Sequence, residues 1–165
     1  MKETNVGLGE QAVSREPEEV LVAYGLGSCL GVVMIDPASR LSGLLHALLP
    51  RTPETGERGA PNSSKYVESG IEHLLASLVR EGAKPDRLIV RIVGGANMLM
   101  GAGMSQSFDI GTRNVEAAKT TLSRLNLPIS VAVAEVGGHS GRTVRVYVAE
   151  SRVTVRVIGE KEREI

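Results

Sequence analysis

At 165 residues, with 19 lysines and arginines against 19 aspartates and glutamates, the chain has no net charge and no basic field to attract nucleic acid or an anionic membrane. Aromatic residues make up 2% and tryptophan is absent, which excludes a base-stacking platform, and a single cysteine excludes an intramolecular disulfide. The length suits one domain with a proper core, so the expectation is a single domain over 1–165 with a charged tail from about 160. The N-terminus lacks the apolar run of a signal peptide and no apolar stretch approaches membrane-spanning length, so a cytoplasmic protein that is not membrane-embedded is expected.

In chain order, Val6 to Val13 reads as a short first strand and Ser14 to Glu19 as a charged turn. The apolar run Val20 to Tyr24 reads as a buried strand that ends at Gly25-Leu26-Gly27-Ser28-Cys29. Gly31 to Ile35 carries the chain away as the next strand. Asp36-Pro37-Ala38-Ser39-Arg40 has turn chemistry, so 31–35 and 41–49 form a predicted hairpin buried on both faces. Pro50 to Ser64 has no periodicity and reads as an exposed loop. Asn62, Ser63 or Ser64 is placed to cap a helix whose Val67, Ile71, Leu74 and Leu78 recur at helical spacing, with Gly82 as its stop.

Leu88 to Val93 is a β-branched strand ended by Gly94-Gly95-Ala96, and Met98 to Asp109 reads as an irregular loop. A second helix is expected over Thr112 to Leu125, ended by Pro128. Strands follow at 129–136, 143–148 and 153–158, with a glycine-rich turn at Gly137 to Gly141 and a frayed tail at 160–164. About eight strands and two helices make an α/β (α+β) fold. Two helices cannot cover that many strands, so a layered sandwich with sheet packed on sheet is expected.

Gly25 and Gly27 permit a sharp turn at a strand end, which can aim backbone N–H groups into one small space and make a thiol there more acidic. Cys29 is then either a nucleophile or a small buried hydrophobe. The candidate bases are His46, His73 and His139. His46 lies in the middle of an apolar strand, where burial costs desolvation, and the hairpin brings its strand beside the one that leaves Cys29. It is either a base facing Cys29 or a satisfied core histidine. His73 falls among helix charges, and His139 in the glycine turn. One cysteine and three histidines lack paired zinc-ligand spacing, so no metal is expected, and the glycine runs match no phosphate loop.

Gly25-Leu26-Gly27-Ser28-Cys29, the strand histidine His46, Gly94-Gly95-Ala96-Asn97-Met98, Ile110-Gly111-Thr112-Arg113-Asn114 and Gly137-Gly138-His139-Ser140-Gly141-Arg142 together resemble the CheD family of chemoreceptor glutamine deamidases. The resemblance runs in order from about Val6 to Ile158. It implies a cysteine hydrolase without cofactors, with Cys29 as nucleophile and His46 as base. The implied substrates are selected glutamines on the cytoplasmic helical bundle of chemotaxis receptors, with glutamate methyl esters as a second class. The implied partner is a CheC-type phosphatase of the response regulator. The implied fold is layered, with two main helices, and resembles the catalytic domain of deamidating bacterial toxins. One position departs: the family's threonine six residues before the cysteine falls on Ala23, which has no hydroxyl to orient an imidazole.

Amide hydrolysis needs a strong nucleophile and donors for the developing oxyanion, and the backbone N–H groups around Gly27, Ser28 and Cys29 are the expected donors. Two other classes stand beside the enzyme. One is a weakly catalytic or non-catalytic partner that regulates the phosphatase, and the other a structural domain with a buried thiol.

Overall fold

Two five-stranded mixed sheets lie face to face, and two helices cover the outer face of one of them. The computed structural model describes residues 1–51, 63–97, 109–128 and 133–165. Among these, the elements run β1 (Lys2–Asn5), β2 (Glu10–Ser14), β3 (Glu19–Leu26), β4 (Leu30–Asp36), β5 (Leu41–Ala47), α1 (Val67–Arg80) and β6 (Ile89–Gly94). They continue with α2 (Ile110–Arg124), β7 (Val133–Val136), β8 (Arg142–Tyr147), β9 (Arg152–Val157) and β10 (Arg163–Glu164). The first sheet has the order β1-β3-β8-β9-β10 and the second β2-β5-β4-β6-β7. Each is antiparallel except for one parallel pair, β1 with β3 and β6 with β7. The expected α/β layering with sheet on sheet is therefore present.

Each strand face finds its own apolar layer. Leu21, Ala23 and Leu26 of β3 meet Val33, Ile35 and Leu44 of β4 and β5 between the sheets. On the other face of the second sheet, Val32, Met34 and Leu45 pack against Ile71, Leu74 and Leu122 of the helices. β4 and β5 are covered on both sides, which is why they read as continuous apolar runs without alternation. In β8, Arg142, Val144 and Val146 are buried while their neighbours are half-exposed, as in a strand with one packed face.

Three expectations are corrected. Val6 to Val13 is not one strand: β1 and β2 belong to different sheets, and the chain crosses between them at residues 6–9. Among the described residues no serine side chain caps α1, and Asn62 lies outside them. The carbonyls of Leu49 and Pro50 take the N–H groups of Val67 and Glu68 at 2.8 and 3.1 Å, so the helix start is satisfied by main chain. The tail does not fray. β10 pairs with β9, and the N–H of Ile165 donates to the carbonyl of Val153 at 3.0 Å. Much of the loop expected at 50–64, the loop at 98–109 and the start of the strand at 129–136 lie outside the described residues.

Candidate active site

The chain passes from one sheet to the other three times at the same end of the sandwich, at residues 6–9, 27–29 and 137–141. The second crossing starts from a bulge: Ala23 faces Val144 and Leu26 faces Arg142, so Tyr24 and Gly25 together oppose Thr143. Gly25 has φ +62°, which a side-chain-bearing residue adopts at a cost. Gly27 keeps a negative φ, so the special conformation expected of both glycines belongs to Gly25 alone.

Cys29 is half-buried and packs against the apolar layer between the sheets. His46 is 3% exposed. Gly31 lies opposite His46 and Leu30 opposite Ala47, so the register puts the cysteine just beyond the last rung of the β4–β5 ladder. Side chains alternate across a strand, and Leu44, two residues before His46, points between the sheets. His46 therefore faces the same layer as Cys29, at the same end.

The first crossing clasps the histidine. The N–H of Gly9 donates to the His46 carbonyl at 2.8 Å, and the imidazole Nδ1 lies 2.9 Å from the carbonyl oxygen of Val6. A carbonyl only accepts, so Nδ1 carries the proton and the neutral ring presents a bare Nε2. That Nε2 is buried and has no hydrogen-bond partner among the described residues. It makes no hydrogen bond to the Cys29 sulfur in this structure.

Both groups rest uncharged at neutral pH. Burial pushes the Cys29 thiol above its ordinary 9.0, against the smaller favourable pull of its own backbone N–H. Burial likewise holds His46 below 6.5, against the raising effects of the Val6 carbonyl and the Glu10 carboxylate. The acidic thiol expected from the glycine turn is thus overruled: desolvation outweighs the N–H dipole.

Each carbonyl of the cysteine turn is held from outside. The N–H of Ala96 donates to Gly27 and that of Gly95 to Cys29, both at 2.9 Å, while the side chain of Asn114 donates to Ser28 at 2.7 Å. Within a trans peptide unit the C=O and the following N–H point opposite ways, so the N–H groups of Ser28 and Cys29 face away from these partners. Among the described residues neither N–H meets an oxygen acceptor. Two donors that meet no oxygen acceptor among the described residues, beside a half-buried sulfur, can receive a developing oxyanion.

The glycine pair Gly94–Gly95 at the end of β6 makes this contact possible. A Cβ on Gly94, which has φ +104°, would lie 2.4 Å from the Cys29 carbonyl oxygen. Arg142 braces the same turn from β8. It is 7% exposed, and it donates to the Gly94 carbonyl at 3.3 Å and to Glu135 at 3.2 Å. Ala23 is fully buried in the layer between the sheets.

The other histidines stand apart. His73 is exposed on α1, with Nδ1 3.1 Å from the Ser63 hydroxyl. His139 is exposed in its turn, with Nδ1 3.0 Å from the Asn97 carbonyl. Val6, Asn114 and Arg142 were not singled out individually from the sequence. For Asn114 a signal existed, since it falls on the same helical stripe as Ala118 and Thr121, and a polar amide there asks for a partner. For the Val6 carbonyl there was none.

Comparison with known proteins matches residues 48–157 to the family described as CheD chemotactic sensory transduction. The matched span begins after Cys29 and His46, whereas the curated relatives match nearly the whole length of the chain. "Probable chemoreceptor glutamine deamidase CheD" of Symbiobacterium thermophilum is 41% identical over 160 residues, 97% of this chain and 95% of that protein. The protein of the same name from Thermococcus kodakarensis is 37% identical over 156 residues, 94% of this chain and 93% of that one. Among solved structures, the chain is similar to Bacillus licheniformis hypothetical protein YfiH at 14% identity and a TM-score of 0.48, covering 77% of this chain and 51% of that one. YlmD from Geobacillus stearothermophilus follows at 15% and 0.47, covering 77% and 50%. Likeness at this level carries no functional information. No helix among the described residues is long and apolar enough to cross a membrane.

Proposed function

The chain belongs to the CheD family, and from that premise we propose that it deamidates selected glutamine side chains of chemotaxis receptors, with Cys29 as nucleophile and His46 as base. The observation that carries the reading is the state of His46. A buried ring nitrogen without a partner costs on the order of 1–3 kcal/mol, and a core histidine kept for packing would not retain it. A base waiting for a proton would.

The chemistry follows from two uncharged groups. As the Cys29 sulfur bonds to the carboxamide carbon, the thiol proton passes to His46 Nε2 and the carbonyl electrons move onto oxygen. The N–H groups of Ser28 and Cys29 receive that oxyanion, each worth about 3 kcal/mol. The imidazolium returns the proton to the amide nitrogen, the C–N bond breaks, and ammonia leaves a thioester. His46 then takes a proton from water, which attacks the thioester carbon; glutamate departs and the thiol is restored. This cycle consumes one water and needs no cofactor. Glutamate methyl esters would follow the same path with methanol as leaving group.

The wider assignment is a single domain over 1–165, working in the cytoplasm on the receptor's helical bundle and binding a CheC-type phosphatase. Kinship with the catalytic domain of deamidating bacterial toxins belongs to the same proposal and rests on resemblance alone. One observation favours a second reading, in which the chain serves mainly as the phosphatase's binding partner: Sγ and Nε2 make no hydrogen bond at rest. Incubation with a receptor cytoplasmic fragment, followed by peptide mass spectrometry, separates the two. Wild type should convert selected glutamines to glutamate and Cys29→Ala none. Retained phosphatase binding without conversion would favour the second reading.

A further inference from the structure

We propose that Asn114 is the positioning residue of this site, setting the peptide plane that aims the Cys29 N–H and tying the cysteine turn to the histidine strand. The inference rests on the reading of Cys29 and His46 given above. Asn114 is fully buried on α2. Its Nδ2 donates to the Ser28 carbonyl at 2.7 Å and to the Leu48 carbonyl at 3.0 Å. The two acceptors lie one residue before Cys29 and two residues after His46, just past the point where the β4–β5 ladder ends at Leu30 and Ala47. The amide thus replaces the next rung of the ladder, and it does so from a third element.

The first bond has a directional consequence. The Ser28 carbonyl and the Cys29 N–H share one peptide unit, so drawing the oxygen toward α2 turns the hydrogen the other way, to the side of the sulfur. The Cys29 N–H already interacts with its own sulfur and eases the ionisation of the thiol. A peptide plane free to rotate would lose both that effect and the oxyanion donor.

The cost of the residue argues that it is kept for this task. Asparagine is a poor helix former, and the Asn114 Oδ1 is buried without a partner among the described residues. A leucine would suit the apolar stripe better if packing were the whole requirement. Close seating of the helix is also built in, because a Cβ on Gly111 would lie 2.4 Å from the Ala96 carbonyl oxygen.

The test uses Asn114→Ala, with Asn114→Ser as a second variant that fills more of the site, and Thr121→Val as a control on the same buried helix face. Among the described residues Thr121 Oγ1 donates only to Ala117 of its own helix, 2.8 Å away, so its loss perturbs α2 without touching the cysteine turn. Asn114→Ala should lower kcat on receptor glutamine at least tenfold with KM within threefold. It should also raise the midpoint of the pH dependence of Cys29 alkylation by iodoacetamide, while Thr121→Val leaves that midpoint in place. A folded Asn114 variant in which either kcat or the midpoint stays at the wild-type value overturns the proposal. So does failure of both variants to fold, since Asn114 would then serve the fold and not the site. Alkylation needs no substrate, so it judges the clamp even where Cys29→Ala retains turnover and the nucleophile assignment fails.

Discussion

The imidazole of His46 donates from Nδ1 to the main-chain carbonyl of Val6 across 2.9 Å, a contact between residues forty positions apart. It fixes the tautomer, leaves Nε2 bare, and does so without any side chain but the histidine's own. A protein that lacks the hydroxyl at position 23 thus still has an oriented imidazole.

The consequence for Ala23 is direct. The orienting hydrogen bond is already made, and Ala23 is fully buried between the sheets. Ala23→Thr adds two heavy atoms to a packed layer, which costs on the order of 1–3 kcal/mol. Turnover on receptor glutamine should stay within threefold of wild type or fall, and the midpoint of thermal unfolding should drop. A gain of tenfold or more would show that the Val6 carbonyl orients the ring poorly.

The pH profile of kcat/KM follows from two groups that are uncharged at rest. In the proposed mechanism protonation of His46 removes the base, and its value lies below 6.5 because burial disfavours the imidazolium. Activity should therefore persist below pH 6.5 and decline only as the pH falls through the lowered value. On the alkaline side the thiol ionises above 9.0, and His46 then has no thiol proton to pass to ammonia. His46→Ala should reduce turnover by about a hundredfold or more and abolish the acid limb. An acid limb near pH 4 paired with loss of activity between about 7 and 9 would instead mark a resting thiolate–imidazolium pair.

Gly94 tests the contact that holds the Cys29 carbonyl. A Cβ there meets the Cys29 oxygen at 2.4 Å, and φ is +104°, so alanine is opposed by both sterics and backbone conformation. Gly94→Ala should lower the unfolding midpoint by roughly 5 °C and kcat by about tenfold. Gly25→Ala has open space around it and should show only the cost of its positive φ. Wild-type turnover in Gly94→Ala would mean that the end of β6 does not set the cysteine turn.

The layering and the two main helices were legible because apolar runs, turn chemistry and helical spacing are local signals. Cys29 and His46 could be placed at one end of the same hairpin because a four-residue turn joins their strands, which made the register a short inference. The partition of strands between sheets was not legible. Val6 to Val13 looks continuous in sequence, and only the pairing of β1 with β3 and of β2 with β5 shows where it breaks. The Val6 carbonyl is invisible in principle, since any residue offers one. The acidity of the thiol was misjudged because burial depends on the opposite sheet, which the turn's own residues do not encode.

The central claim is that receptor glutamine passes through a thioester on Cys29. Rapid acid quench of enzyme mixed with a receptor cytoplasmic fragment, read by intact-mass spectrometry, measures this most directly. The expected result is a transient species with the summed mass of enzyme and fragment less one ammonia, mapping to Cys29 and missing from Cys29→Ala. Deamidation by Cys29→Ala at the wild-type rate, with no such species in either protein, would contradict it.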